Sequence, residues 1–370
     1  MKIAVLNWRD RAHPHAGGAE AFVHEVARRW VLEGHAVSIV ASRFRGAARR
    51  SIDQGVTVIR TGRLRDGSHH LRAPGVAESA RPDVMLESIN TVPYWLPHRA
   101  RRIPTATLVH QLARDVWGSH LPATAASVAK RIESLFYRPY GRKQVLAVSE
   151  STRTDLKAVG LGQISVIPQG GLGRQETPAK SQAPTLIFVG RLVENKRPDH
   201  AVEAFRIIKS QIPQARLWIV GDGKMKDHLA KSLPPDAELL GRLARDELLA
   251  RMGQAHLLIA TSVREGWGLV VTEANALGTP AVAYDVPGHR DSVRSGVTGM
   301  TTVVTPEALA AAGLALLRDE NRYNEIRRAA IEWGSDCSWD RTARVLLGHL
   351  QESIHRAGVS VAEGERRNLL

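Results

Sequence analysis

The chain has 370 residues, 43% of them hydrophobic and 24% charged, with a single cysteine, Cys337. This length and balance predict two domains with ordinary buried cores, and one cysteine excludes an internal disulfide framework and suits a reducing compartment. The formal net charge of +14 is uneven: residues 1–170 carry 25 Lys/Arg against 13 Asp/Glu, and residues 171–370 carry 26 against 24. A basic first half suits nucleic acid, anionic lipid headgroups or a phosphorylated small molecule, and equally a surface that is merely basic.

The opening run Met1–Leu6 is too short for the apolar core of a signal peptide. No stretch reaches the roughly 18–20 apolar residues of a membrane span. A cytoplasmic protein is expected, either soluble or peripheral on the inner membrane face. Lys2–Asn7 reads as a buried strand, followed by a loop with Pro14 and Gly17-Gly18. Ala19–Glu33 has apolar residues at helical spacing (Phe22, Val23, Val26, Ala27, Trp30), Gly34 ends it, and Ala36–Ala41 is the next strand. That is a βαβ unit and implies a parallel sheet. Val56–Arg60, Val84–Glu87, Thr105–His110, Gln144–Ser149 and Val166–Ile167 read as further strands.

The pattern restarts at Thr185–Val189. Strands at Arg216–Val220, Glu238–Leu240, Leu257–Ala260 and Pro280–Tyr284 alternate with helices at Asp199–Ser210, Lys224–Ser232, Asp246–Gln254 and Gly268–Leu277. Two βαβ series predict two Rossmann-like domains. Gln169–Ala183, rich in Gly, Pro, Ser and Gln, reads as the linker between them. Helices are expected at Pro306–Leu317, Asn321–Trp333 and Trp339–His355, with a frayed polar tail over Gly358–Leu370.

Ligands of doubly wound sheets bind beyond the carboxyl ends of the strands, where three features lie. Gly17-Gly18 precedes a helix whose free N–H groups could meet an anion; alone it is equally an ordinary tight turn. Arg191 and Lys196 share one loop after a strand and could clamp a diphosphate, or form a solvated basic loop. The third is the segment from Glu265 through Gly266, Trp267 and Gly268 to Glu273, stopped by Gly278 and Pro280. It offers two carboxylates for sugar hydroxyls and the N–H groups of Gly268, Leu269 and Val270 for phosphate. Either glutamate alone would read as a helix cap.

With these residues in view, the sequence resembles the family 4 glycosyltransferases, retaining enzymes of the GT-B fold, over nearly its whole length. Glu265 and Glu273, seven residues between them, match that family's paired-glutamate hallmark. Gly17-Gly18-Ala19-Glu20, Val148-Ser149-Glu150-Ser151 and Val166-Ile167-Pro168-Gln169-Gly170 are similar to its N-terminal markers. Gly190-Arg191 with Lys196, Gly221-Asp222-Gly223, Gly241-Arg242-Leu243 and the Gly288, Gly296, Gly299 run resemble its donor-domain signatures.

The resemblance implies two Rossmann-like domains with parallel sheets facing across a cleft. An acceptor-side domain over 1–172 would be joined by the C-terminal helix from about 345 to 370, and a donor domain would span 173–344. Domain closure about the linker would bring Gly18 and His110 to the donor. The resemblance further implies that Arg191 and Lys196 neutralise the donor diphosphate, Glu273 holds the ribose and Glu265 contacts the transferred sugar. The backbone near Leu243 would read the base, Gly18 would approach the diphosphate, and His110 would act near the donor sugar. The reaction would be transfer from a nucleoside-diphosphate sugar to a sugar, lipid-linked or small-molecule acceptor, with retention of configuration.

No cofactor or essential metal is expected; His13 with His15, and His69 with His70, lack partner ligands at metal-binding spacing. Nucleic acid is not expected either, since no recognised module accompanies the charge. An epimerase of the same fold stays open as an alternative, whereas a pyridoxal phosphorylase lacks a lysine in a suitable frame. Arg43-Phe44-Arg45 with Arg49-Arg50, and Tyr94-Trp95 with Arg99, Arg101 and Arg102, combine aromatics and cations. They suggest a phosphorylated or lipid-anchored acceptor, or docking on an anionic membrane.

Overall fold

The computed structural model describes residues 1–100, 102–119, 121–141 and 143–367. Arg101 of the expected cation cluster and residues 368–370 of the expected tail lie outside them. Residue contacts divide the chain into two compact units: 1–114, 124–170 and 339–370 in the first, 115–123 and 171–338 in the second.

The first unit runs β1 (Lys2–Leu6), α1 (Gly18–Leu32), β2 (Ala36–Ala41), β3 (Arg50–Asp53), β4 (Val56–Arg60), α2 (Ser68–Ser79), β5 (Val84–Ile89), α3 (Leu96–Arg99), β6 (Thr105–Val109), α4 (Ala123–Tyr137), β7 (Val145–Ala147), α5 (Glu150–Ala158) and β8 (Ile164–Val166). Its eight strands lie in the order β3-β4-β2-β1-β5-β6-β7-β8. Every pairing is parallel except β3 with β4, an antiparallel edge hairpin that the strand pattern did not announce. The order reverses between β1 and β5, and such a reversal opens a crevice at the carboxyl ends of those strands. α1 buries Phe22, Val23, Val26, Ala27 and Trp30, the expected stripe, each large side chain contributing roughly 1.5–3 kcal/mol by leaving water.

The second unit runs β9 (Thr185–Val189), α6 (Pro198–Gln211), β10 (Arg216–Val220), α7 (Lys226–Ser232), β11 (Ala237–Gly241), α8 (Arg245–Gln254), β12 (Leu257–Ala260), α9 (Leu269–Ala276), β13 (Ala281–Tyr284), α10 (His289–Ser292), β14 (Gly299–Thr302), α11 (Pro306–Arg318) and α12 (Glu320–Asp336). Its strands are all parallel, in the order β11-β10-β9-β12-β13-β14, and the reversal falls between β9 and β12. Leu186, Phe188, Leu217, Ile219, Leu257 and Ile259 pack into one core. Their neighbours Ile187, Trp218, Val220, Leu258 and Ala260 pack into a second core. Because helices cover both faces, the strands read as unbroken apolar runs rather than alternating ones.

The segment expected to be a linker is tied down in the second unit. Lys180 Nζ donates to the carbonyls of Gly253 and Ala255, at 3.0 and 2.7 Å, and to Thr279 Oγ1 at 2.8 Å. Three hydrogen bonds thus hold this amine at the C-terminal end of α8, where burial lowers its pKa to about 7.

The chain returns to the first unit with α13 (Trp339–Arg367), where about 345 was expected. Trp30 Nε1 donates to the Ala343 carbonyl at 2.9 Å and fixes α1 against this helix. The expected frayed tail is not observed up to Arg367: the helix continues through Gly358, and no proline interrupts that stretch.

Candidate functional site

In the second unit the strand-order reversal places the loops after β9 and β12 side by side. Thr261 Oγ1 donates to the carbonyls of Lys196 and Arg197, at 2.7 and 2.8 Å, and Val263 N donates to the Asn195 carbonyl at 2.9 Å. These bonds bring Lys196 and Glu265 together although 69 positions separate them. Lys196 Nζ donates to Glu265 Oε1, and Ser262 Oγ donates to the same oxygen at 2.7 Å.

Glu265 rests on the next loop, its N–H donating to the Pro287 carbonyl at 3.0 Å. Gly288 lies directly beneath, with φ +87; a Cβ there would fall 2.5 Å from the Glu265 carbonyl oxygen. Burial pushes the Glu265 carboxyl up. Lys196, His289 and the hydrogen bonds from Lys196 and Ser262 outweigh it and hold the group below its usual range. His289 is itself buried, which lowers its pKa, and its Nδ1 donates to the Tyr284 carbonyl at 3.3 Å. Glu265 is therefore a carboxylate near neutral pH. Among the described residues its Oε2 has no partner and is available to a hydroxyl.

Glu273, on α9, is gripped by the fork of Arg245: Nη2 donates to Oε1 at 2.5 Å and Nη1 to Oε2 at 3.3 Å. α9 begins after Gly268, which takes φ +95, and no side chain caps it. By contrast, Ser149, Thr305 and Asp319 cap α5, α11 and α12 with their side chains. The first N–H groups of α9, those of Leu269 and Val270, are left without a side-chain acceptor, the usual condition for receiving an anion. Leu243, in the loop before α8, packs with Val270 against one core, so the two sides of this mouth share a floor. Gly266 is half-buried, and Trp267 packs its ring 6.1 Å from that of Trp333.

Arg191 is exposed, and its guanidinium has no partner among the described residues. Its loop is fixed from below: Gly190 N donates to the Val220 carbonyl at 3.0 Å and Leu192 N to the Asp222 carbonyl at 2.9 Å. A Cβ on Gly221 would sit 1.8 Å from the Gly190 carbonyl oxygen. The glycine of Gly221-Asp222-Gly223 is thus required for contact between two protein loops.

The structure groups Lys196 with Glu265, and Glu273 with Arg245. Sequence reasoning missed Arg245, Ser262 and His289. Ser262 follows a strand end and His289 follows Gly288, weak signals both, and nothing local marked Arg245.

In the first unit, Gly17 precedes α1 and Gly18 opens it. The Gly17 N–H already donates to Glu20 Oε2 at 2.7 Å, so the protein's own carboxylate sits at this helix start. His110 follows β6, its N–H donating to the Ile89 carbonyl at 2.8 Å and its carbonyl accepting from Thr152 Oγ1 at 3.1 Å. Its ring meets Phe22 edge-on at 5.3 Å, and Nε2 lies 3.0 Å from Ser88 Oγ. Burial lowers its pKa to about 4, so the ring is neutral at pH 7.

Of the expected aromatic surface, Phe44 and Trp95 are half-buried, and the expectation for Tyr94 is corrected. Tyr94 is fully buried, its hydroxyl 2.8 Å from His69 Nε2, and Trp95 Nε1 donates to the Phe136 carbonyl at 3.0 Å. An aromatic with one polar group buries well once that group is paired, which adjacency to arginine in sequence does not reveal. Among the exposed large apolar residues of this unit, which include Leu32, Ile52 and Leu71, Val128, Ile132 and Leu135 lie on α4. They fall at i, i+4 and i+7, one helix face, beside exposed Arg131 and Arg138. No described helix is long and apolar enough to cross a membrane.

Comparison with known proteins agrees with this architecture. The family model described as Glycosyltransferase Family 4 matches residues 16–170, and that described as Glycosyl transferases group 1 matches residues 173–333. The chain is 32% identical over 202 residues to a glycogen synthase of Mycobacterium tuberculosis, covering 51% of this chain and 49% of that one. It therefore spans about half the length of that relative. It is 26% identical over 341 residues to a D-inositol 3-phosphate glycosyltransferase of Thermobispora bispora, covering 80% and 76%.

Among solved structures, sucrose-phosphate synthase from Thermosynechococcus elongatus matches with a TM-score of 0.78 at 19% identity, over 96% of this chain and 99% of that one. Anabaena HepE in complex with UDP and glucose matches at 0.68 and 18% identity, over 95% and 100%. These likenesses show the fold, two parallel-sheet units of the GT-B type. With the two family models together matching most of its length, the chain belongs to the group 1 glycosyl transferases of glycosyltransferase family 4.

Proposed function

We propose that this protein is a retaining, metal-independent hexosyltransferase that moves a sugar from a nucleoside-diphosphate sugar to an acceptor hydroxyl. The observation that carries the reading is the Lys196–Glu265 pair at the strand-order reversal of the second unit, beside the uncapped start of α9. A cation and an anion held together there can separate their tasks when a donor arrives. Lys196, with the unpartnered Arg191, takes the diphosphate. Glu265 takes hydroxyls of the transferred sugar, and Glu273, steadied by Arg245, takes the ribose. UDP in complexes of Anabaena HepE supports a nucleotide donor.

In the proposed reaction the bond from the anomeric carbon to the phosphate oxygen breaks, its electron pair leaving with the diphosphate. The acceptor oxygen bonds to the anomeric carbon from the same face, and the acceptor proton passes to the departing phosphate oxygen. Charge grows on that oxygen as the bond breaks, so Arg191, Lys196 and the α9 N–H groups stabilise the transition state more than the ground state. Glu265 is assigned no nucleophilic role here, since it and Glu273 hold two different parts of the donor rather than flanking the scissile bond. His110 offers a neutral ring to a sugar hydroxyl.

The acceptor side belongs to the basic first unit, and the α4 face with Arg131 and Arg138 supports peripheral docking on an anionic, cytoplasm-facing membrane that carries a lipid-linked acceptor.

The test is a thermal-shift series with UDP, GDP, ADP and dTDP, each alone and as its sugar, on the wild type and on Glu273→Ala. One nucleotide at about 100 times its Kd should add roughly 2.7 kcal/mol of stability to the wild type and far less to the variant. Sugar transfer with that donor should be unaffected by EDTA. If no nucleotide stabilises the wild type, or if Glu273→Ala binds and turns over normally, the reading is wrong.

A further inference from the structure

The strand-order reversal of the first unit, between β1 and β5, holds a buried polar chain. Asn7 is 1% exposed, Ser88 0% and His110 6%. Asn7 Nδ2 donates to the Arg9 carbonyl at 2.8 Å. Ser88 Oγ donates to Asn7 Oδ1 at 2.9 Å, and Ser88 Oγ lies 3.0 Å from His110 Nε2.

The proton positions in this chain follow from donor counting. A backbone carbonyl can only accept, so the Asn7 amide must turn its nitrogen toward Arg9 and its oxygen toward Ser88. That oxygen can only accept as well, so the single Ser88 hydroxyl proton points to Asn7. Ser88 has only a lone pair left for His110, and the ring nitrogen facing it must carry the proton. Nδ1 then bears the lone pair, and among the described residues it has no partner.

The ring cannot easily turn to escape this assignment. Phe22 stands edge-on to it at 5.3 Å, and the His110 backbone is pinned to Ile89 on one side and Thr152 on the other. Asn7 is equally fixed, its N–H donating to the Val40 carbonyl at 3.1 Å and its carbonyl 3.0 Å from His69 Nε2. Nothing in the pairing of β1 and β5 requires a hydroxyl and an amide here, since an apolar pair would leave no buried polar group to satisfy.

We infer that Asn7 and Ser88 are positioning residues that hold His110 as the Nε2–H tautomer, so that its Nδ1 lone pair accepts a hydrogen bond from a substrate sugar hydroxyl. The inference rests on the transferase reading for the identity of the substrate, but the tautomer itself is independent of that reading. The relay sets which end of the imidazole is an acceptor, and with it the hydroxyl orientation the site favours. With the other tautomer Nδ1 would donate, and a hydroxyl would have to present its oxygen instead.

The tautomer can be read from the ring ¹⁵N shifts of histidine-labelled protein, with His110→Gln identifying the His110 signals. The wild type should show a protonated Nε2 and an unprotonated Nδ1. Ser88→Ala, which keeps the volume nearly unchanged, should mix or invert that pattern. With the preferred sugar donor it should lower kcat/KM about tenfold, as for one lost hydrogen bond to substrate. The nucleotide-induced thermal shift should stay as in the wild type. Ser88→Thr, which restores the hydroxyl, should recover both the tautomer and the rate.

A wild-type ring protonated at Nδ1 overturns the relay, and so does a Ser88→Ala protein with wild-type tautomer and kcat/KM. If the tautomer behaves as stated but no nucleotide sugar is ever a substrate, the transferase reading fails and the positioning of His110 stands.

Discussion

The two units solve the placement of polar groups in opposite ways. In the second unit the candidate groups are charged, partly open and paired with each other: Lys196 with Glu265, Arg245 with Glu273. In the first unit they are closed: neutral His110 on Ser88 and Asn7, and Glu87, its pKa raised by burial to about 7, on Tyr140 and Tyr94. Ion pairs near solvent are worth little on their own and exchange partners readily, so they suit residues that must release one another to receive a charged ligand. Buried neutral networks are expensive to leave half-satisfied, and they suit groups whose proton must stay in one place. A diphosphate calls for the first arrangement and an oriented hydroxyl for the second.

The largest effect that would break this contrast is expected from Lys196→Ala. It removes both a cation for the leaving diphosphate and the counter-charge of Glu265, and turnover should fall about 10²–10³-fold, as for loss of one donor in an anion-stabilising site. Without Lys196 the burial that pushes Glu265 up is less opposed, so the acid limb of the kcat/KM profile should also move to higher pH. Unchanged turnover would mean that the ion pair is only a surface bridge.

A smaller effect concerns the closed network. Burial raises Glu87 from 4.5 to about 7, against hydrogen bonds from Tyr140, Tyr94 N and Thr107. The folded protein then holds a proton that the unfolded chain releases, so this stability is complete below about pH 4.5 and is lost as pH rises through 7. The span is ~3 kcal/mol at most, and Glu87→Gln should flatten it. Urea unfolding at pH 5 and pH 8 checks the point; equal pH dependence in the two proteins would remove Glu87 from the account.

The smallest effect is at the surface of α4. Arg131→Gln should weaken co-sedimentation with anionic liposomes severalfold, at about 1 kcal/mol for the one charge removed, and leave the nucleotide thermal shift untouched. Binding that is equal on neutral and anionic lipid would sink the docking reading.

Much of the second unit was legible because its strands are continuous apolar runs and its glycines sit at strand ends. Lys196, Glu265 and Glu273 could be named from motif spacing. The first unit was less transparent. α2 buries His69, Ala73, Pro74 and Ala77, too small and polar a set to mark a stripe, and α5 buries only Thr152 and Leu156. α4 carries apolar residues on its exposed face, which blurs the pattern a buried face would give.

By itself, then, the sequence determined the two parallel-sheet units, most of their strands and the charged residues that follow the strand ends of the second unit. These follow from periodicity and from chemistry within a few positions of each other. Only the tertiary structure decided the partners: Lys196 beside Glu265, Arg245 on Glu273, and Asn7, Ser88 and His110 in one proton-ordered chain. Each of those contacts joins loops, helices or strands brought together by strand order, and pairing across such separations leaves no local trace in the residues that make it.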